Sequence, residues 1–236
     1  WSVGQLNPNS IYEVSDVAFA DANTIYLVGR GFWMFDQGAR ILRDGVEIYN
    51  SSCAPDRPTC ISNLYAADFA GPDVGVAVGI GASVVTILSG VATEVSLPMW
   101  AILRGVSVPT SETAYAVGND GVIFKGDLVS GSWVELTSGT SDRLTDVCFT
   151  DDMTGTVVGG AGILRTTDGG ETWTPQASGT TAALRSVSFI DASNGLIGTA
   201  GTTLLRTADG GNTWIPEEVP VMVAEVDFVN PSTMVA

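Results

Sequence analysis

The chain has 236 residues, with 10 Lys and Arg against 26 Asp and Glu, three Cys, 28 Gly and no His. A net charge of −16 argues against nucleic acid as a partner, because phosphate contacts need a basic face, and the absence of His removes the commonest general base and metal ligand near neutral pH. At 45% hydrophobic and 15% charged residues, the chain is too apolar for disorder and long enough to bury a core without metal or dense disulfides.

Taken in chain order, the elements repeat. Val14 opens the run VSDVAFADANTIYLVGRGFWMF, and Leu64 opens LYAADFAGPDVGVAVGIGASVVTILSG. Leu103 opens LRGVSVPTSETAYAVGNDGVIFKGDLVSGSW, Leu144 opens LTDVCFTDDMTGTVVGGAGILRTTDGGETW, and Leu184 opens LRSVSFIDASNGLIGTAGTTLLRTADGGNTW. A sixth copy, VAEVDFVNPSTMVA, begins at Val223. The starts lie about 40 residues apart, and only the first interval is longer, by about ten residues that contain Cys53 and Cys60.

Each copy has the same internal order. An L-x-x-V-x-F run leads to an Asp, Asn, Pro or Gly turn, as at Thr150-Asp151 and Ile190-Asp191. A β-branched run ending in Val-Gly follows, then a glycine hairpin such as Gly118-Asn119-Asp120-Gly121, a third apolar run and a short polar one. Four strands, tight turns and no helical period predict an all-β array, and four strands in about forty residues are the dimensions of a propeller blade. The expected fold is a single β-propeller domain over 1–236, built from four-stranded antiparallel blades. Trp1 to Leu6 read as a fourth strand and Val223 to Ala236 as two first strands, so one closing blade shared by both termini would make six. A chain continuing past Ala236 would make room for a seventh.

Thr166-Thr167-Asp168-Gly169-Gly170-Glu171-Thr172-Trp173 and Thr207-Ala208-Asp209-Gly210-Gly211-Asn212-Thr213-Trp214 resemble the Asp-box, or bacterial neuraminidase repeat. Thr166, Asp168, Gly170 and Trp173, with Thr207, Asp209, Gly211 and Trp214, then take structural roles. The carboxylate caps backbone amides, glycine permits positive φ, and Trp buries apolar surface. The whole repeat sentence, L-x-x-V-x-F through R-T-x-D-G-G-x-T-W, resembles the photosystem II stability and assembly factor family and its non-photosynthetic bacterial relatives. That resemblance implies a non-catalytic protein that docks another protein or a multi-subunit, membrane-associated complex, with no cofactor, no metal and no catalytic residue. Sialidases share the Asp-box, but they would need an arginine triad, a Tyr nucleophile beside a carboxylate, and usually Arg-Ile-Pro. The nearest string here is Arg40-Ile41-Leu42-Arg43. A lectin-like surface protein would repeat its aromatics at equivalent loops, which Trp33 and Trp100 do not.

Three further segments carry expectations. Val74 to Thr93 is uncharged and long enough for a membrane helix, but its glycines and its alignment with neighbouring repeats predict two buried strands instead. Cys53 and Cys60 are expected to form a disulfide in a surface loop and Cys148 to be a buried small residue. With an acidic, lysine-poor composition, this suits a periplasmic, lumenal or cell-surface setting. Finally, Arg30, Arg57, Arg104, Arg143 and Arg185 map to second-to-third-strand turns, the cysteine loop and the entries to first strands. They are the expected partner-binding cations, docking an acidic or otherwise anionic partner segment on the face at the mouth of the propeller channel, and the competing expectation pairs each with a local carboxylate such as Asp142 or Asp146.

Overall fold

The structure is a computed structural model that describes residues 13–30, 38–51, 63–97, 101–160, 162–223, 225–230 and 233–235. Among these residues the chain forms five four-stranded sheets and one two-stranded sheet, each with strands in sequence order. The first contains β1 (Glu13–Phe19), β2 (Ile25–Arg30), β3 (Ala39–Arg43) and β4 (Val46–Asn50). The second contains β5 (Leu64–Gly71), β6 (Val74–Gly79), β7 (Ser83–Leu88) and β8 (Val91–Ser96). The third contains β9 (Leu103–Ser107), β10 (Thr113–Gly118), β11 (Ile123–Asp127) and β12 (Ser132–Leu136). The fourth contains β13 (Leu144–Phe149), β14 (Gly155–Gly159), β15 (Gly162–Thr166) and β16 (Thr174–Gln176). The fifth contains β17 (Leu184–Phe189), β18 (Gly195–Thr199), β19 (Thr203–Thr207) and β20 (Ile215–Glu218). The two-stranded sheet pairs β21 (Asp227–Asn230) with β22 (Thr233–Val235).

Each four-stranded sheet starts within a residue of the repeat boundary read from the sequence. The expected strand from Trp1 to Leu6 lies outside the described residues; the described residues form five blades, and the sixth repeat shows two strands. The uncharged stretch from Val74 becomes β6, β7 and the start of β8, and no helix among the described residues is long and apolar enough to cross a membrane. The expected hairpin at Gly118 to Gly121 joins β10 to β11 through a single 3-10 turn over Asn119–Gly121, with Asp120 at φ 59°.

Two compact units divide the chain: Trp1–Ala114 with Asp127–Ser132, and Tyr115–Gly126 with Trp133–Ala236. In the first unit β1 and β9 both lie beside β5. Strand alternation turns Tyr26, Val28 and Ile41 towards Leu64, Phe69, Ala77, Val85 and Ile87 of the next repeat. Tyr26 stacks on Phe69 with centroids 3.9 Å apart, and its hydroxyl donates to the Pro72 carbonyl at 2.8 Å.

The second unit repeats the scheme. Tyr115, Val117 and Ile123 pack on Leu144, Val147, Phe149, Val157 and Leu164. Val158 and Ile163 pack on Leu184, Val187, Ile197, Leu205 and Trp214, while Cys148 lies half-buried at the margin. Leu196 and Leu204 meet Val223 and Val226 of the sixth repeat. Tyr115 stacks on Phe149 at 3.6 Å, and Phe189 meets Trp214 edge-on at 5.8 Å. That phenylalanine also explains a glycine: Phe149 pairs with Gly155, where a Cβ would lie 2.5 Å from the ring.

The turns that end the first strands follow from Asx chemistry. Asp151 Oδ1 accepts the amides of Met153 and Thr154 at 2.8 and 2.7 Å, and Asp191 and Asp21 do the same for Ser193 with Asn194 and Asn23 with Thr24.

A less visible device ties first strands in four of the repeats to the repeat that follows. A β-bulge at the second repeat residue aims the third residue's side chain at the following repeat, in β1, β13 and β17 alike. Asp146 Oδ1 accepts the Val147 amide at 2.8 Å while Oδ2 accepts the Val187 amide at 2.8 Å. Asp16 does the same for Val17 and Ala67, at 2.7 and 2.8 Å. In the second repeat the third residue is Ala66, and Asp68, two residues on, bonds Phe69 and Val108 instead, at 2.8 and 2.6 Å. In the fifth repeat Ser186 Oγ takes the role, accepting the Val226 amide at 2.8 Å.

Candidate binding face

The Thr-x-Asp-Gly-Gly turns are tied up internally. Asp168 Oδ1 accepts the Thr166 hydroxyl at 2.7 Å and the Thr172 amide at 2.9 Å, and Oδ2 accepts the Thr172 hydroxyl at 2.6 Å. Thr166 Oγ1 in turn accepts the Gly170 amide at 2.9 Å. Asp209 repeats the set with Thr207, Thr213 and Gly211. Gly169 and Gly170 adopt φ of 70° and 85°, which is why glycine stands there. Hydrogen bonds from threonine hydroxyls and amides hold both carboxyls down at about 2, against an ordinary 3.8. Such groups carry no proton to donate near neutral pH, so neither aspartate can serve as a general acid.

Trp173 and Trp214 close these turns at equivalent places, edge-on to Phe149 and Phe189 at 6.0 and 5.8 Å. Trp214 is 7% exposed, and Trp173 is half-buried. Lys125 adds a support that the sequence did not announce: its Nζ donates to the Gly169 carbonyl at 3.0 Å and lies 5.4 Å from the Tyr115 ring. Burial of the Tyr115 phenol pushes its pKa up to about 12.

The five arginines meet different fates. Arg30 ends β2 opposite Glu13, and its Nη2 lies 2.7 Å from Glu13 Oε2, with both side chains about half exposed. Arg57, like Cys53 and Cys60, lies outside the described residues. Arg104 is half-buried on β9, its guanidinium carbon 5.9 Å from the centroid of Tyr65, the second residue of the preceding repeat. Arg143 and Arg185 are exposed in the second unit, at the starts of neighbouring strands β13 and β17. Arg185 occupies the β17 bulge, a position that turns a side chain away from the regular pleat.

Arg143 borders an open depression of about 500 Å³ with Asn119, Asp120, Ser141, Asp142 and Gly160. The local fold there is set by Gly159, where a Cβ would lie 2.1 Å from the Arg143 carbonyl oxygen. Among the described residues, Arg30, Arg40 and Arg43 form ion pairs. Asp146 accepts a backbone amide with each of its carboxylate oxygens. Asp142 shares the depression with Arg143 without an ion pair. No group of three or more metal-ligating side chains occurs among the described residues.

Sheets of this kind, in this order and joined first strand to first strand, define a β-propeller fold. A family model described as photosynthesis system II assembly factor YCF48 matches residues 125–222. Among solved structures, YCF48 from Cyanidioschyzon merolae superposes with a TM-score of 0.64 at 16% identity, over 93% of this chain and 77% of that one. A structure of YCF48 bound to D1 peptide gives a TM-score of 0.56 at 15% identity, over 70% of this chain and 58% of that one. Virginiamycin B lyase from Staphylococcus aureus gives 0.71 at 12% identity, over 91% and 73%, a likeness of fold alone. No curated protein sequence matches the chain. The chain thus resembles the photosystem II assembly factor family.

Proposed function

We propose that this protein is a non-catalytic, protein-binding assembly scaffold that docks an anionic partner segment through Arg143 and Arg185. The observation that carries the reading is the exposure of Arg143 and Arg185, without ion pairs, in a molecule of net charge −16. A guanidinium left open amid so much negative charge can grip a carboxylate with two parallel hydrogen bonds. The surrounding field repels acidic chains that do not place their carboxylates there, so the patch contributes selectivity more than total affinity. YCF48, which this chain resembles in fold, has been seen with a bound D1 peptide, and that supports a peptide segment as the ligand class. This chain spans only 58% of that structure's chain, so the site is argued from the residues here. The acidic, lysine-poor composition, with the pair Cys53 and Cys60, supports an extracytoplasmic setting.

The test compares a fluorescent Asp/Glu-rich peptide with a Ser/Gln peptide of equal length. Wild-type protein should retain the acidic peptide and release it as salt rises. Arg143→Ala and Arg185→Ala together should weaken capture roughly tenfold or more, since charge-assisted hydrogen bonds are among the stronger ones. A double variant that binds as wild type does, or wild type that prefers neither peptide, overturns the proposal.

A further inference from the structure

The loops that lead into β13 and β17 are built alike. Ser138 Oγ donates to the Thr140 carbonyl at 3.1 Å and accepts the Thr140 amide at 3.3 Å, while Thr140 Oγ1 accepts the Asp142 amide at 3.0 Å. Ser178 and Thr180 repeat these bonds at 2.9, 3.4 and 3.1 Å, the last with the amide of Ala182. The fifth repeat therefore forms this loop with Ala182-Ala183 where the fourth carries Asp142-Arg143. The shape of the loop does not account for either charge.

Arg143, Asp142 and a second aspartate, Asp120, line the same depression of about 500 Å³. All three are exposed, and the ion pairs among the described residues include none of them. The backbone that carries them is closely fitted. A Cβ on Gly121 would lie 2.0 Å from the Thr140 carbonyl oxygen, and one on Gly159 would lie 2.1 Å from that of Arg143. Both signs of charge thus stand open on a rigid rim. A segment carrying carboxylates alone is drawn to Arg143 and repelled by the two aspartates beside it. A segment with an ammonium next to its carboxylate is attracted by all three.

We infer that this depression reads a mixed-charge step in the partner: an acidic peptide segment with one lysine beside a carboxylate, the carboxylate gripped by Arg143 and the ammonium drawn to Asp120 and Asp142. The inference rests on Arg143 as a docking cation and adds what must stand next to the carboxylate it holds. The guanidinium fork orients the carboxylate, and a lysine ammonium, a compact charge with three donors, suits two acceptors at once. The aspartates act by repulsion as well, against segments that place a second carboxylate where the lysine belongs.

Two fluorescent peptides test this: an Asp/Glu-rich segment with one central lysine, and the same segment with that lysine acetylated, which removes its charge. In about 0.05 M salt the wild type should bind the lysine form roughly fivefold more tightly, the effect of a pair of exposed charge contacts. Asp120→Asn and Asp142→Asn together should erase the preference by strengthening capture of the acetylated form, and Arg143→Ala should weaken capture of both. Asparagine tolerates the positive φ of Asp120, so the turn keeps its shape. A preference that persists in the double variant comes from the net charge of −16 and overturns the inference. Equal, salt-sensitive capture of both peptides overturns it too and leaves the docking role of Arg143 standing, whereas capture of neither overturns both. Displacement of the lysine peptide by an equal concentration of free lysine would make the depression a small-molecule site and refute the peptide assignment.

Discussion

Asp168 and Asp209 are the residues whose types are most tightly dictated by local chemistry. Each carboxylate meets a threonine two residues before it and another four residues after it, so the turn closes on itself within one hairpin. Because folding lowers both carboxyls to about 2 from 3.8, it favours their charged forms. The stabilisation is therefore fully present above about pH 4 and drains away as pH falls towards 2. Carboxyl NMR titration should place both midpoints near 2, and thermal melts should lose ground between about pH 4 and pH 2. Asp168→Asn keeps one acceptor oxygen and removes the charge, and should flatten part of that pH dependence. Midpoints near 4 for both residues would show that the threonine network does not form in solution.

At the scale of the element, each sheet depends on side chains that leave room for one another. Phe149 crosses the strand pair onto Gly155, Phe189 onto Gly195 and Phe69 onto Gly75. An added Cβ at those glycines would lie 2.5, 2.7 and 2.1 Å from the rings. Gly155→Ala should accordingly destabilise by about 1–3 kcal/mol, the usual cost of overpacking. Phe149→Leu in the same chain should return part of that loss, because a smaller side chain makes space for the methyl group. Urea denaturation of the two single variants and the double variant measures the coupling, and strict additivity would contradict the contact. The outer strands show a second device of the same scale. Pro175 and Pro216 sit in β16 and β20, where a missing amide leaves less for a foreign strand to pair with.

For the molecule as a whole the governing quantity is charge. With −16 spread over 236 residues, self-repulsion opposes the compact state and salt relieves it. Thermal stability should rise by a few degrees when sodium chloride is raised from about 10 to 200 mM at pH 7. Capture of an acidic peptide by Arg143 and Arg185 should fall over the same range, because the attraction is screened too. Opposite slopes from one protein separate the global field from the local patch. A melting point that falls with salt would mean that attractive ion pairs, such as Arg43 with Asp73, outweigh the repulsion.

What the sequence determined by itself is everything encoded within one repeat. The starts of the five four-stranded sheets, the Asx turns at Asp151 and Asp191, and the Thr-Asp-Gly-Gly turns all rest on contacts between residues a few positions apart. Such contacts leave a spacing that can be read without coordinates. The tertiary structure decided what crosses from one repeat to the next. Asp146 bonds Val187, 41 residues away, because a β-bulge aims its side chain there. Lys125 reaches Gly169 across 44 residues, and Arg104 finds Tyr65. A bulge redirects a side chain without altering the apolar period, and a neighbour's identity depends on how sheets stack, so neither leaves a mark in local sequence.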